Sequence, residues 1–181
     1  MRKLVVSQFM SLDGVIENPM WTFPYWNDEI AKFKQAELFG SDTILLGRIT
    51  YEGFAEAWPG RTDEEGYADR INGLPKTLVS TTVKKPSWGE TTVIGSNLAE
   101  EINKLKQTEG RDILLFGSGK LVQTLMDLDL VDQYNLLIYP LVLGKGQKLF
   151  EDGRDAKLKV VETMPFSSGV TGLIYQPDRG A

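Results

Sequence analysis

Asp112–Met126, DILLFGSGKLVQTLM, places an apolar run, a glycine turn and an amphipathic stretch in immediate succession. Ile113–Phe116 has the length and composition of a buried strand. Gly117-Ser118-Gly119 follows at once, and Leu121, Val122, Leu125 and Met126 fall at helical spacing. The stretch reads strand, tight turn, helix. Such a turn aims unpaired backbone N–H groups outward from the positive end of a helix, which suits phosphate. An isolated GSG is equally a plain strand-to-helix turn, because the full GxGxxG fingerprint is absent.

A second junction of the same kind lies upstream. Thr43–Leu46 is a short apolar strand, followed by Gly47-Arg48-Ile49-Thr50-Tyr51. The planar fork of Arg48 can bond two phosphate oxygens. Further on, the strand Lys76–Ser80 runs into Ser80-Thr81-Thr82, with Lys84 and Lys85 close behind. Hydroxyls and lysines at a strand end suit a ribose 2′-phosphate, and serve equally as a hydrophilic turn.

Around these junctions strands alternate with helices. The spacing predicts strands at Leu4–Phe9, Thr91–Ile94 and Tyr134–Tyr139. It predicts helices from Asn27 or Asp28 to Phe39, over Asp63–Asn72 as a solvated polar face, and over Leu98–Lys106. Ile30, Phe33 and Ala36 are spaced for the inward face of the first helix, and Asn97 with Glu100 resembles a capping box. Lys157–Thr163 and Val170–Tyr175 read as an antiparallel hairpin before a polar tail, Pro177–Ala181. No linker or repeat interrupts residues 1–181, so one domain is expected. Its class is α/β, a mixed, mostly parallel sheet with helices on both faces and an antiparallel C-terminal edge. In such sheets ligands sit outside the carboxyl ends of the strands, where both glycine junctions lie.

Composition removes several chemistries. The 181 residues carry a formal charge of −5 and contain neither His nor Cys. A nucleic-acid surface is not expected from scattered Lys and Arg, nor a membrane segment from the short apolar runs. The commonest general base, the thiolate nucleophile and the usual zinc ligands are missing, and no metal site is expected. The absence of Cys fits a cytoplasmic location. If the chain is an enzyme, the hard chemistry belongs to a bound cofactor. The aromatic cluster Trp21, Phe23, Tyr25 and Trp26 either folds onto the core or forms a lid over a flat ligand.

Four segments, VVSQFMSLDGVI, ILLGRITYEGF, LLFGSGKLVQTLM and NLLIYPLVLGKGQKLF, resemble the dihydrofolate reductase fold. They look more closely like its relative, the reductase domain of bacterial riboflavin biosynthesis. That resemblance implies a three-layer dihydrofolate reductase-like fold and an NADPH-dependent reductase acting on a small molecule as a homodimer. Gly47, Arg48, Thr50 and Tyr51 would meet the cofactor phosphates, and Ser80, Thr81, Thr82 and Lys84 the 2′-phosphate. Gly117, Ser118, Gly119, Lys120 and Leu121 would line the pyrophosphate and nicotinamide side. Leu12, Asp13, Gly14, Trp21 and Trp26 would border the substrate. Glu29 aligns with the single acid that faces the pterin ring in dihydrofolate reductase. Glu29, Asp13 or water is then the expected proton source. The strand Tyr134–Tyr139 and the segment Leu141–Phe150 offer hints of a dimer contact or are equally core.

Overall fold

The computed structural model describes residues 1–180. Its strands are β1 (Leu4–Ser11), β2 (Ser41–Gly47), β3 (Lys76–Val79), β4 (Thr91–Ile94), β5 (Asp112–Phe116), β6 (Gln133–Tyr139), β7 (Leu158–Pro165) and β8 (Thr171–Pro177). They join one sheet in the order β4-β3-β2-β5-β1-β6-β8-β7. All pairs from β4 across to β6 are parallel, and β8 pairs antiparallel with β6 and β7. The helices are α1 (Asp28–Gly40), α2 (Arg48–Ala57), α3 (Tyr67–Gly73), α4 (Leu98–Gln107) and α5 (Gly119–Asp127). This is the α/β class expected from the order of strands and helices.

The central strands are apolar on both sides because helices cover both faces. On one face Leu4, Val6, Ile113 and Leu115 pack against Ile102 of α4 and Val122 and Leu125 of α5. On the other, Val5, Ile44, Leu46, Leu114 and Phe116 meet Leu38 of α1, Tyr51 of α2 and Ile71 of α3. A separate cluster of Ile30, Leu137, Tyr139 and Val170 lies beside it.

Several local expectations are corrected. α1 turns Ile30, Lys34 and Leu38 inward and leaves Ala36 exposed, because a polar strip on the sheet receives the Lys34 ammonium. α3 begins at Tyr67 rather than Asp63, whose carboxylate accepts from the backbone N–H groups of Tyr67 and Ala68. Its Ala68 and Ile71 are buried, so the helix is not merely solvated. Asn97 is left-handed with no side-chain cap bond, and Glu100 pairs with Lys104 at 2.7 Å instead. Arg179 ties the tail to Asp129 at 3.0 Å; Ala181 lies outside the described residues.

The two dimer hints have explanations within one chain. β6 sits between β1 and β8, with both edges paired. The segment after β6 folds back on the loop after β1, where Leu12 N–H bonds Leu141 and Ile16 N–H bonds Gln147, each at 2.9 Å. Among the described residues no helix is long and apolar enough to cross a membrane, and no cluster suits a metal ion.

Candidate functional site

Both glycine junctions open at the carboxyl ends of adjacent strands, β2 and β5. Gly47 ends β2 so close to Ser118 that a side chain there would collide with the Ser118 hydroxyl. A Cβ on Gly117 would come within 2.7 Å of Thr50 Oγ1, and Gly117 has a φ of +60° besides. A Cβ on Gly119 would meet Gln147 and Ile16 at 2.8 Å. Gln8 of β1 anchors the turn by donating to the Gly117 carbonyl at 3.0 Å. The structure thus brings Gly47, Thr50, Gly117, Ser118 and Gly119 together. The first N–H groups of α2 and α5 have no partner within their helices, and both positive dipole ends emerge here.

The remaining phosphate-side residues divide. Arg48 is exposed at the first turn of α2 and pairs with Glu52 at 2.9 Å. Lys120 is exposed on α5. Leu121 packs its side chain into the core, so only its backbone faces the junction. The Tyr51 side chain lies in the core, away from the junction. It is 3% exposed, and its hydroxyl accepts the Trp88 N–H at 2.9 Å. Gly47 and Val79 are in register, so the loop after β3 lies beside Arg48. There Ser80 is buried and its hydroxyl accepts from the N–H groups of Thr82 and Val83, shaping the turn. Thr81, Thr82 and Lys84 stay exposed, with Lys84 Nζ donating to the Thr81 carbonyl at 2.9 Å.

On the substrate side, the two expected proton donors are both held by hydrogen bonds from other segments of the chain. Asp13 accepts from the Ser11 hydroxyl at 2.6 Å and from the N–H groups of Leu143 and Gly144. Those bonds, the Ser11 hydroxyl foremost, hold its pKa down at about 2. Glu29 is exposed and accepts from the Ser167 hydroxyl, from the Ser167 N–H at 2.8 Å and from Asn27 at 3.1 Å. Ser167 chiefly keeps its carboxyl below the usual range. Both groups are ionised clasps between chain segments at neutral pH. Leu12 and Gly14 belong to the same tight turn, with Leu12 exposed and Gly14 at φ +89°.

The aromatic segment folds in part onto the core, as one of the two readings of its sequence has it. Trp21 and Tyr25 fold onto Tyr139, with ring centres at 5.4 and 5.6 Å and nearly perpendicular planes. Phe23 and Trp26 stand exposed. A network of charge lies under α1, where Lys34 Nζ donates to Ser7 and, at 2.6 Å, to Glu37. Asn135 donates to the other Glu37 oxygen at 3.0 Å. Sequence reasoning missed these four residues. The available signal was Lys34 and Glu37 at inward positions between Ile30 and Leu38. A cavity of about 280 Å³ reaches Glu37 and Asn135 from the amino ends of the strands, away from the glycine junctions.

The RibD C-terminal domain model matches residues 2–171. Bacillus subtilis YyaP is 32% identical over 177 residues, spanning 96% of this chain and 94% of that protein. A putative riboflavin biosynthesis protein from Shewanella sp. PV-4 superposes with a TM-score of 0.79 at 19% identity, covering 98% of this chain and 99% of that one. Dihydrofolate reductase from Enterococcus faecalis, solved with NADP(H), superposes at 0.63 and 14% identity, covering 97% and 96%. The fold is therefore of dihydrofolate reductase type, and the chain belongs to the RibD C-terminal domain family.

Proposed function

We propose that the chain is an NADPH-dependent reductase acting on a small carbonyl, imine or heterocyclic substrate. One observation carries this reading: Gly47, Gly117 and Gly119 each lie where a side chain would collide with a neighbour. The starts of two helices on adjacent strands are thereby packed closely together. Such a cradle fits a dinucleotide pyrophosphate, whose charge both helix dipoles favour. Arg48 and the first N–H groups of α5 would hold the phosphates, and Thr81, Thr82 and Lys84 the ribose 2′-phosphate. The similar fold of a reductase solved with NADP(H) supports the assignment.

When bound, NADPH supplies the hydride. The residues of this chain orient the partners, and Trp21 and Tyr25 exclude water from the α1 side of the sheet. With Asp13 and Glu29 ionised, the proton comes from solvent. That same ionisation favours a second reading, a nucleotide-binding or ligand-sensing protein without turnover. Titration with NADPH and NADH, followed by energy transfer from Trp, tests the cofactor site. NADPH is expected to bind more tightly and with stronger salt dependence; binding of neither removes the proposal. Oxidation of NADPH on adding carbonyl or imine acceptors separates the reductase from the sensor.

A further inference from the structure

Residues 80–89, STTVKKPSWG, contain two lysines and no acid in a chain whose formal charge is −5. Thr81, Thr82, Lys84, Lys85 and Ser87 are exposed, whereas Ser80 and Trp88 are buried. Ser80 closes one end of the stretch, donating its N–H to the Ile94 carbonyl at 3.0 Å. Trp88 closes the other at 3% exposure. No strand or helix forms between the two, so their anchoring decides where the exposed donors stand.

Partners from three other elements hold Trp88. Its backbone N–H donates to the Tyr51 hydroxyl of α2 at 2.9 Å, and its indole N–H donates to the Asn72 side chain of α3 at 2.8 Å. The ring carries the Lys76 ammonium of β3 at 4.3 Å from its centre. Lys76 is itself 1% exposed and donates to the Asn72 backbone carbonyl, so the indole is part of what makes its burial tolerable. Gly89 follows at φ +60°, and a Cβ there would come within 3.3 Å of the Asn72 carbonyl and of Lys76 Nζ.

Tyr51 gives this anchor a bearing on the candidate site. It stands three residues after Arg48, on the helix that opens at the glycine junction. The bond from Trp88 to Tyr51 thus ties the stretch bearing Lys84 and Lys85 to the helix bearing Arg48. We propose that Trp88 is a positioning residue for cofactor selectivity. Held by Tyr51, Asn72 and Lys76, it sets the donors of residues 81–87 in advance at the place of a ribose 2′-phosphate, so that NADPH is preferred to NADH. This rests on the cofactor reading above. A segment already in place loses less conformational freedom when its ligand arrives. A nucleotide without the 2′-phosphate gains nothing from these donors, so a loosened anchor weakens NADPH and spares NADH.

Calorimetric titration of the full chain with NADPH and with NADH reads the preference, because the two differ only in that phosphate. Amide exchange of Thr82 and Val83 in the free chain reads the anchoring, since both N–H groups bond Ser80 within the stretch. Tyr51→Phe keeps the ring in the core and removes the hydroxyl that accepts from Trp88; Trp88→Phe removes the indole N–H. Each is expected to lower NADPH affinity at least fivefold, change NADH affinity less than twofold, and speed exchange of the two amides at least threefold. Where Trp88→Phe does not fold, Tyr51→Phe decides alone. Parallel losses for both nucleotides, an unchanged preference, or unchanged exchange overturns the proposal and leaves the cofactor site standing. Binding of neither nucleotide by the wild type removes the reductase reading, and this proposal with it.

Discussion

The Ser118 hydroxyl fills the space that a side chain on Gly47 would need. The two residues belong to different junctions, so their contact fixes the spacing between the starts of α2 and α5. Gly47→Ala must push one junction away from the other. Overpacking of this kind costs about 1–3 kcal/mol. We expect a lower urea midpoint for Gly47→Ala together with at least a tenfold loss of NADPH affinity. Gly53 is the control, a glycine inside α2 with open space around its would-be side chain. Gly53→Ala is expected to raise stability by about 0.5–1 kcal/mol and leave NADPH affinity alone.

Asp13 links the turn after β1 to the backbone of Leu143 and Gly144. The Ser11 hydroxyl and these two N–H groups hold its carboxyl down at about 2 in the folded protein, below the usual aspartate value of 3.8. The native state therefore binds the proton less readily than the unfolded chain. This contribution to stability is complete above pH 4 and is lost as pH falls toward 2. In Asp13→Asn the group no longer titrates. The wild type and variant urea midpoints should converge between pH 4 and pH 2 and stand apart at pH 7. A constant separation across that window would exclude Asp13 as the titrating clasp.

The alternation of strands and helices was legible because buried parallel strands are continuous apolar runs, as in Ile113–Phe116. The glycine junctions were legible for the same reason, since they punctuate those runs. The roles of Asp13 and Glu29 were not. Their residue types suit acid–base work, but besides the neighbouring Ser11 and Asn27 the groups that bond them include Leu143 N–H and Ser167, 130 and 138 positions further along the chain. Tyr51 follows the same logic: it sits beside a phosphate-like turn, and the partner that takes its hydroxyl is Trp88. Apolar spacing found Ile30 and Phe33 on the inward face of α1 but put Ala36 there in place of Lys34. Lys34 and Glu37 are charged, and their burial becomes intelligible only with Ser7 and Asn135 alongside.

Glu29 is the residue that alignment with a folate-type acid singles out, and in the structure it bonds Ser167 and Asn27. Held by Ser167, it fastens the N-terminus of α1 to the turn between β7 and β8. Glu29→Gln keeps the side-chain length and one acceptor oxygen. If the chain turns over NADPH, the rate in this variant should follow the wild-type pH profile from pH 5 to pH 9. A rate that falls at least a hundredfold, or loses a titration step, would return Glu29 to the role of proton donor.

Lys34 and Glu37 have side chains 7% and 3% exposed, one turn apart on α1. Burial of the pair is tolerable because each charge neutralises the other and Ser7 and Asn135 occupy further bonding positions. Removing one member leaves a carboxylate or an ammonium uncompensated in a poor solvent for charge. Such a loss costs about 3–5 kcal/mol, whereas replacing both members is often neutral. Lys34→Met should therefore lower the unfolding free energy by about that amount in urea titrations at pH 7. Combining it with Glu37→Gln should recover most of the loss, a coupling that a double-mutant cycle reads directly. Simple additivity of the two substitutions would mean that the pair is not coupled beneath α1, and that Lys34 owes its burial to the Phe9 and Phe116 rings alone.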